Sequence, residues 1–168
     1  MLDLGKLFYT GSRLYPKNLA RARYWFTRAA DSGNAAAQYQ VAVMASQGAG
    51  GPKDEATAAL YYKKSLQTWK KEADVGDSKA ALWAALVYER KLVPDSSPEK
   101  SVPYLLQAAE SGNLTAQGLL AFKYRDGLGV PQDAAKAVEW FEKAASRKDL
   151  GAVMELGIMF RDGKYLPP

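Results

Sequence analysis

The chain has 168 residues, 23 of them lysine or arginine and 18 aspartate or glutamate, for a net charge of +5. Cysteine and histidine are both absent, so disulfides, zinc centres built on thiolate or imidazole, and the usual general base are excluded; carboxylate, lysine and tyrosine chemistry remains. The basic residues are scattered, with Arg21, Arg23 and Arg28 early and Lys63, Lys64, Lys70 and Lys71 in the middle, which reads as solvated helix faces.

In chain order, Leu2, Leu4, Leu7 and Phe8 open the chain inside a helical pattern, which predicts an upstream segment. No signal-peptide pattern precedes it, and no apolar run in the chain approaches the ~20 residues of a membrane span. Leu4, Gly5, Phe8 and Gly11 form the first copy of a set of anchors. The second copy is Ala37, Val41, Ala42, Ala45 and Gly48; the third is Ala80, Ala84, Ala85 and Tyr88, with Lys91 where the glycine belongs. The fourth, Ala116, Leu120, Tyr124 and Gly127, recurs 36 residues later as Ala152, Leu156, Phe160 and Gly163.

A second set of anchors alternates with the first. Trp25-Phe26, Tyr61-Tyr62, Tyr104-Leu105 and Trp140-Phe141 are followed by Ala29-Ala30, Ser65-Leu66, Ala108-Ala109 and Ala144-Ala145. The aromatic residues supply apolar area and the small ones admit a neighbouring helix. Each unit is therefore a pair of helices, A and B, and copies at a near-constant period mark a repeat array.

The punctuation agrees. Helix B is predicted to start at Asn18, Asp54, Ser97 and Asp133, all residue types whose side chains accept orphan backbone N–H groups. It is predicted to end at Gly33, Gly76 and Gly112, after which Asn34, Asp77, Asn113 and Asp149 cap the next helix A. Lys148 stands where the last glycine belongs, which predicts a looser junction there. The second period is 43 residues rather than 36. The extra seven, around residues 65–72, are close to two helical turns and predict a longer helix B. These features predict an all-α, right-handed superhelical solenoid of antiparallel helix pairs in one domain. Its repeats cover residues 1–36, 37–79, 80–115 and 116–151, with a partial one over 152–168.

At these residues the chain resembles the Sel-one-like repeat (SLR) family. Residues 116–152 carry its pattern almost throughout, including Gly127-Leu-Gly129-Val130-Pro131-Gln132-Asp133, Lys136-Ala137, Trp140-Phe141 and Lys143-Ala144-Ala145. The third unit departs from it, reading Lys91-Leu-Val-Pro94-Asp-Ser-Ser-Pro98 without the glycines, so its A–B turn must be built differently. The fifth stops at Pro168 before a helix B, leaving the apolar side of its helix A for another cover, a second copy of the chain among them. The resemblance implies a non-catalytic scaffold or adaptor, a bacterial envelope or periplasmic setting with the cytoplasm as the other option, and a protein partner. An immunity protein blocking a secreted toxin is an alternative within the same class.

Chemistry is hard to find. Gly48-Ala-Gly50-Gly51-Pro52-Lys53 superficially resembles a phosphate loop, yet it follows a helix, lacks the Gly-Lys-Ser/Thr ending and aligns with the turn at Gly127. The Arg-Asp-Gly triplets at 125–127 and 161–163 are repeat positions at a helix end. No catalytic residue, metal site or cofactor is predicted; an electrostatic binder of nucleic acid or of an anionic surface is the weaker alternative, since it needs clustered basic residues and the pattern here is diffuse.

If the alanine of helix A is position 0, then positions 0, 4, 8 and 11 face inward and 2, 3, 6, 9 and 10 face outward. The outward set predicts a partner surface along the concave face, where repeat proteins bind. Its members are Tyr39 in the second unit; Leu82, Trp83, Leu86 and Arg90 in the third; Leu119, Phe122, Arg125 and Asp126 in the fourth; and Ile158 in the fifth. The stretch from Ala80 to Tyr88 is apolar all round, which means either burial on several sides or an exposed groove centred on Trp83, Leu119 and Phe122. Trp69, in the long helix B, is a secondary candidate.

Overall fold

The computed structural model describes residues 1–163. Among them lie nine α-helices and no strand: α1 (Leu2–Thr10), α2 (Leu19–Asp31), α3 (Ala35–Gln47), α4 (Glu55–Asp74), α5 (Ser78–Glu89), α6 (Pro98–Glu110), α7 (Leu114–Asp126), α8 (Ala134–Ala145) and α9 (Leu150–Asp162). Odd-numbered helices are the A members of the repeat and even-numbered ones the B members. The seven-residue insertion lies inside α4, which runs for 20 residues against 13 in α2.

The caps form where their residue types place them, with one exception. The side chains of Asn18, Asn34, Asn113, Asp133 and Asp149 each accept the backbone N–H three residues ahead, at 2.8–3.1 Å. Asp77 accepts from Lys79 and Ala80. Asp54 accepts both the N–H and the hydroxyl of Thr57, and these donors hold its carboxyl below the usual range. Ser97 occupies the cap position of α6 without a side-chain cap bond. Its hydroxyl serves the Glu99 carboxylate instead and lowers that group's proton affinity, while Pro98 fills the first turn, where a missing N–H costs nothing.

Two lysines do the work of glycines. Lys91 and Lys148 adopt φ of 53° and 66°, the left-handed conformation that Gly48, Gly127, Gly33, Gly76 and Gly112 adopt at the equivalent helix ends. The third A–B turn therefore begins in the same backbone conformation as the others and diverges only afterwards. The junction at Lys148 keeps the repeat geometry against the expectation from its side chain.

The chain divides into two compact units, residues 1–71 and 72–168. In the first, α1 packs on α2 and α2 on α3, around Phe8, Ala22, Phe26, Val41 and Met44. Gly5 permits the approach of α1, since a methyl group there would fall 2.4 Å from the Phe26 ring. In the second, each of α5 to α8 packs on the next, around Leu105, Leu120, Trp140, Phe141 and Met159.

Helix A buries more than the four anchor positions. Positions 1, 5 and 7 are buried as well: Ala81, Ala85 and Val87 in α5, and Gln117, Ala121 and Lys123 in α7. The helix is covered on two sides, which accounts for much of the all-round apolar character of residues 80–88. Leu82 and Leu86 remain half-buried and Trp83 exposed.

The second glycine of the A–B turn seats on backbone. A methyl group at Gly50 would lie 2.2 Å from the carbonyl oxygen of Leu19, and one at Gly129 would lie 2.5 Å from the carbonyl carbon of Pro98. Both glycines have positive φ, 72° and 78°, so each turn presses on the start of helix B one repeat earlier. Gly129→Ala is expected to lower the unfolding free energy by about 2 kcal/mol or more, from the clash and the strained φ together. Lys148→Gly should raise it by about 1 kcal/mol by releasing the left-handed strain. Chemical denaturation of the two variants checks both.

Candidate functional site

In the second unit the outward positions of helix A form a surface of two parts. On α5, Leu82 and Leu86 are half-buried, Trp83 is 39% exposed, and Arg90 is exposed at the helix end. Between α7 and α9 runs an open cleft of about 250 Å³ walled by Leu114, Gly118, Leu119 and Phe122 on one side and by Ala152 and Glu155 on the other, with Phe141 of α8 as part of its floor. The small residues Gly118 and Ala152 leave the width of the cleft free, and Phe122 stands edge-on to Phe141 at 5.1 Å between ring centroids.

The rim is rigid. The Arg125 guanidinium lies 4.7 Å over the Phe122 ring. It pairs in two-pronged fashion with Asp126, at 2.7 and 3.0 Å, and reaches across the cleft to Glu155 at 2.7 Å. Donation from Arg125 holds the Asp126 carboxyl below its usual range. Gln132 donates to the Arg125 carbonyl at 2.7 Å, tying the helix end to the following turn. The two carboxylates lining the cleft are thus already committed, Glu155 to Arg125 and Asp149 to the N–H of Ala152. What the site offers is apolar contact inside a fixed charged border.

Of the residues expected to share a surface, Leu119 and Phe122 line one cleft, and Arg125 with Asp126 borders it. Leu82, Trp83, Leu86 and Arg90 sit on α5 in the same unit and are not among the lining residues; Ile158 is 40% exposed on α9. Tyr39 belongs to the first unit, half-buried between Tyr62 and Trp69 with centroids at 5.5 and 5.7 Å. Trp69 is 4% exposed. It is core, and its ring packs on Tyr39 of helix A in its own repeat.

The Sel1 repeat family model matches residues 1–34, 35–67, 79–113 and 115–149. Among solved structures, the chain is similar to c5321, a protective antigen of uropathogenic Escherichia coli strains displaying an SLR fold. Identity there is 28% with a TM-score of 0.71, over 95% of this chain and 33% of that one. It is also similar to a Sel1 repeat protein from Oxalobacter formigenes, at 25% identity and TM-score 0.55, over 99% and 78% of the two chains. Among curated proteins it resembles DAP3-binding cell death enhancer 1 of Rattus norvegicus, 25% identical over 81% of this chain. The chain spans about a third of that relative's length, 32%.

One functional group escaped the sequence argument. Lys123 is 4% exposed, and its ammonium pairs with Glu89 of α5 at 2.7 Å and donates to the carbonyls of Leu128 and Pro98 at 3.2 and 3.4 Å. It thereby joins the end of one helix A, the start of the intervening helix B and its own A–B turn. The readable signal is a lysine in a column occupied by Met44, Val87 and Met159 in the other copies. Lys123→Met, which leaves Glu89 without its counter-charge and takes a donor from the Leu128 carbonyl, is expected to lower the unfolding free energy by about 3 kcal/mol. A wild-type unfolding midpoint for that variant would show the pair to be dispensable.

Proposed function

Because the chain belongs to the Sel1 repeat family, whose members are typically protein–protein interaction scaffolds, we propose that it is a non-catalytic scaffold or adaptor that docks a protein on the outward face of its A helices. The observation that carries this reading is the apolar cleft beside Leu119 and Phe122 with a border clamped in advance by Arg125, Asp126 and Glu155. A border already fixed by ion pairs and ring stacking loses little side-chain freedom on binding, which favours affinity. Trp83 on α5, flanked by Leu82, Leu86 and Arg90, supplies a second anchor of the residue type most often found to dominate interfaces. Ile158 extends the face on α9, and Tyr39 occupies the matching repeat position in the first unit.

Two further points support a protein partner. The carboxylates at the cleft are engaged by an arginine and a backbone cap, which leaves neither poised for proton transfer. The rat relative carries a protein partner in its name. The reading also takes in the narrower role of an inhibitor that blocks a secreted protein through the same face.

Affinity capture from the source cell with the 168-residue chain as bait should recover one partner reproducibly. Trp83→Ala is expected to weaken that complex by about 2 kcal/mol in calorimetry while leaving helicity and melting temperature unchanged. A large fall in melting temperature would instead make Trp83 a packing residue and sink its role as an anchor.

A further inference from the structure

The net charge of +5 is unevenly distributed. Residues 1–71 hold eleven lysines and arginines against four aspartates and glutamates, a net +7; residues 72–168 hold twelve against fourteen, a net −2. In the second unit much of the basic charge is matched at close range: Lys100 with Asp95, Lys123 with Glu89, Arg125 with Asp126 and Glu155, Lys136 with Asp133, and Lys143 with Glu139. In the first unit Arg21, Arg28, Lys63 and Lys64 make no ion pair among the described residues. Arg28 and Lys64 rest on aromatic rings instead, over Tyr24 and Tyr61 at 5.9 and 4.9 Å.

These four side chains lie on neighbouring B helices. Arg23 of α2 donates to the Pro52 carbonyl just ahead of α4, at 3.3 Å, and Tyr61 of α4 donates to Asp31 at the end of α2, also at 3.3 Å. Arg21, Tyr24 and Arg28 follow one another at helical spacing on the exposed side of α2, as Leu60, Lys63 and Lys64 do on α4. Lys64 covers Tyr61, and Tyr61 reaches Asp31, three residues beyond Arg28, so the α4 stripe adjoins the Arg28 end of the α2 stripe; Arg21 and Tyr24 continue it toward α1, where they line a groove with Leu4 and Phe8. Tyr24 is 54% exposed and Leu60 51%.

We propose that this helix-B face of the first unit, formed by Arg21, Tyr24 and Arg28 with Leu60, Lys63 and Lys64, is a second docking surface, and that its occupant is an acidic protein segment with interspersed apolar side chains. The proposal rests on the chain being a protein scaffold but uses a surface separate from the cleft at Phe122. Unpaired basic charge attracts a carboxylate-rich partner and speeds its encounter. The exposed tyrosine and leucine among the charges fit a segment that has apolar side chains of its own, which a phosphate backbone lacks. The excess positive charge is also confined to the first unit, which suits a short acidic segment better than a long polyanion.

The test uses the full chain and fluorescence anisotropy at low salt, with a labelled peptide alternating glutamate and leucine as probe. Saturable binding is expected, weakened about tenfold by Lys63→Glu with Lys64→Glu, and likewise by Arg21→Glu with Arg28→Glu. It should be unaffected by Lys136→Glu with Lys143→Glu, and by Trp83→Ala, which addresses the other surface. Should charge reversal disturb the helical circular dichroism, the glutamine variants at the same positions replace it. Wild-type affinity in the folded α2 and α4 variants would overturn the proposal. So would tighter binding of single-stranded DNA of equal charge, or of phosphatidylserine vesicles.

Discussion

Alanine at the contact points of helix A is the feature on which the rest depends. Ala37, Ala42 and Ala45 in α3, Ala80, Ala81, Ala84 and Ala85 in α5, and Ala116 and Ala121 in α7 are all essentially inaccessible to solvent. A helical hairpin of some thirty residues cannot bury its own apolar side, so it is stable only when a neighbour covers it. Small side chains let that neighbour come close on two sides of the same helix. The large residues of helix A, chiefly Trp83, Leu119 and Phe122, are then left at the positions that no packing contact fully covers. The candidate site is a by-product of how the stack is held together.

The last turn of each helix B is tied down twice: the carbonyls of Ala30, Ala73 and Ala109 each accept the N–H of the glycine three residues on, and each takes a side-chain amide as well. Gln38 and Gln117, at the same repeat position, donate to the carbonyls of Ala30 and Ala109 at 3.3 and 3.0 Å. The third unit has Ala81 at that position, and the equivalent carbonyl of Ala73 is served by Gln107 of α6 at 2.6 Å. The same second bond is made from a different helix. Lys123 belongs to this class: it is a buried polar side chain that ties turn to helix where the third repeat lacks its glycines.

Electrostatics divides the labour between the two units. The second spends its charges on itself, and the paired Arg125 stiffens a border around apolar surface. In the first, Arg21, Arg28, Lys63 and Lys64 are exposed and make no ion pair among the described residues. A scaffold with one surface dominated by shape and another by charge can hold two partners of different character. Salt distinguishes the two surfaces, since exposed charges are screened and apolar contact is not.

The helices, their caps and their pairing were legible in the sequence because they follow from local rules: an aromatic pair every repeat, a cap residue before each helix, and a glycine after it. The lengthened α4 was legible as well, since seven residues preserve the helical face. Tertiary structure alone decided that Lys91 and Lys148 hold a glycine's conformation, because the force that keeps a side-chain-bearing residue in the left-handed region comes from the helices on either side. It likewise decided that Trp69 is core and that Glu155 walls the open cleft at Phe122 while pairing with Arg125. These depend on which surfaces meet, and residues far apart in the chain meet only after the repeats have stacked.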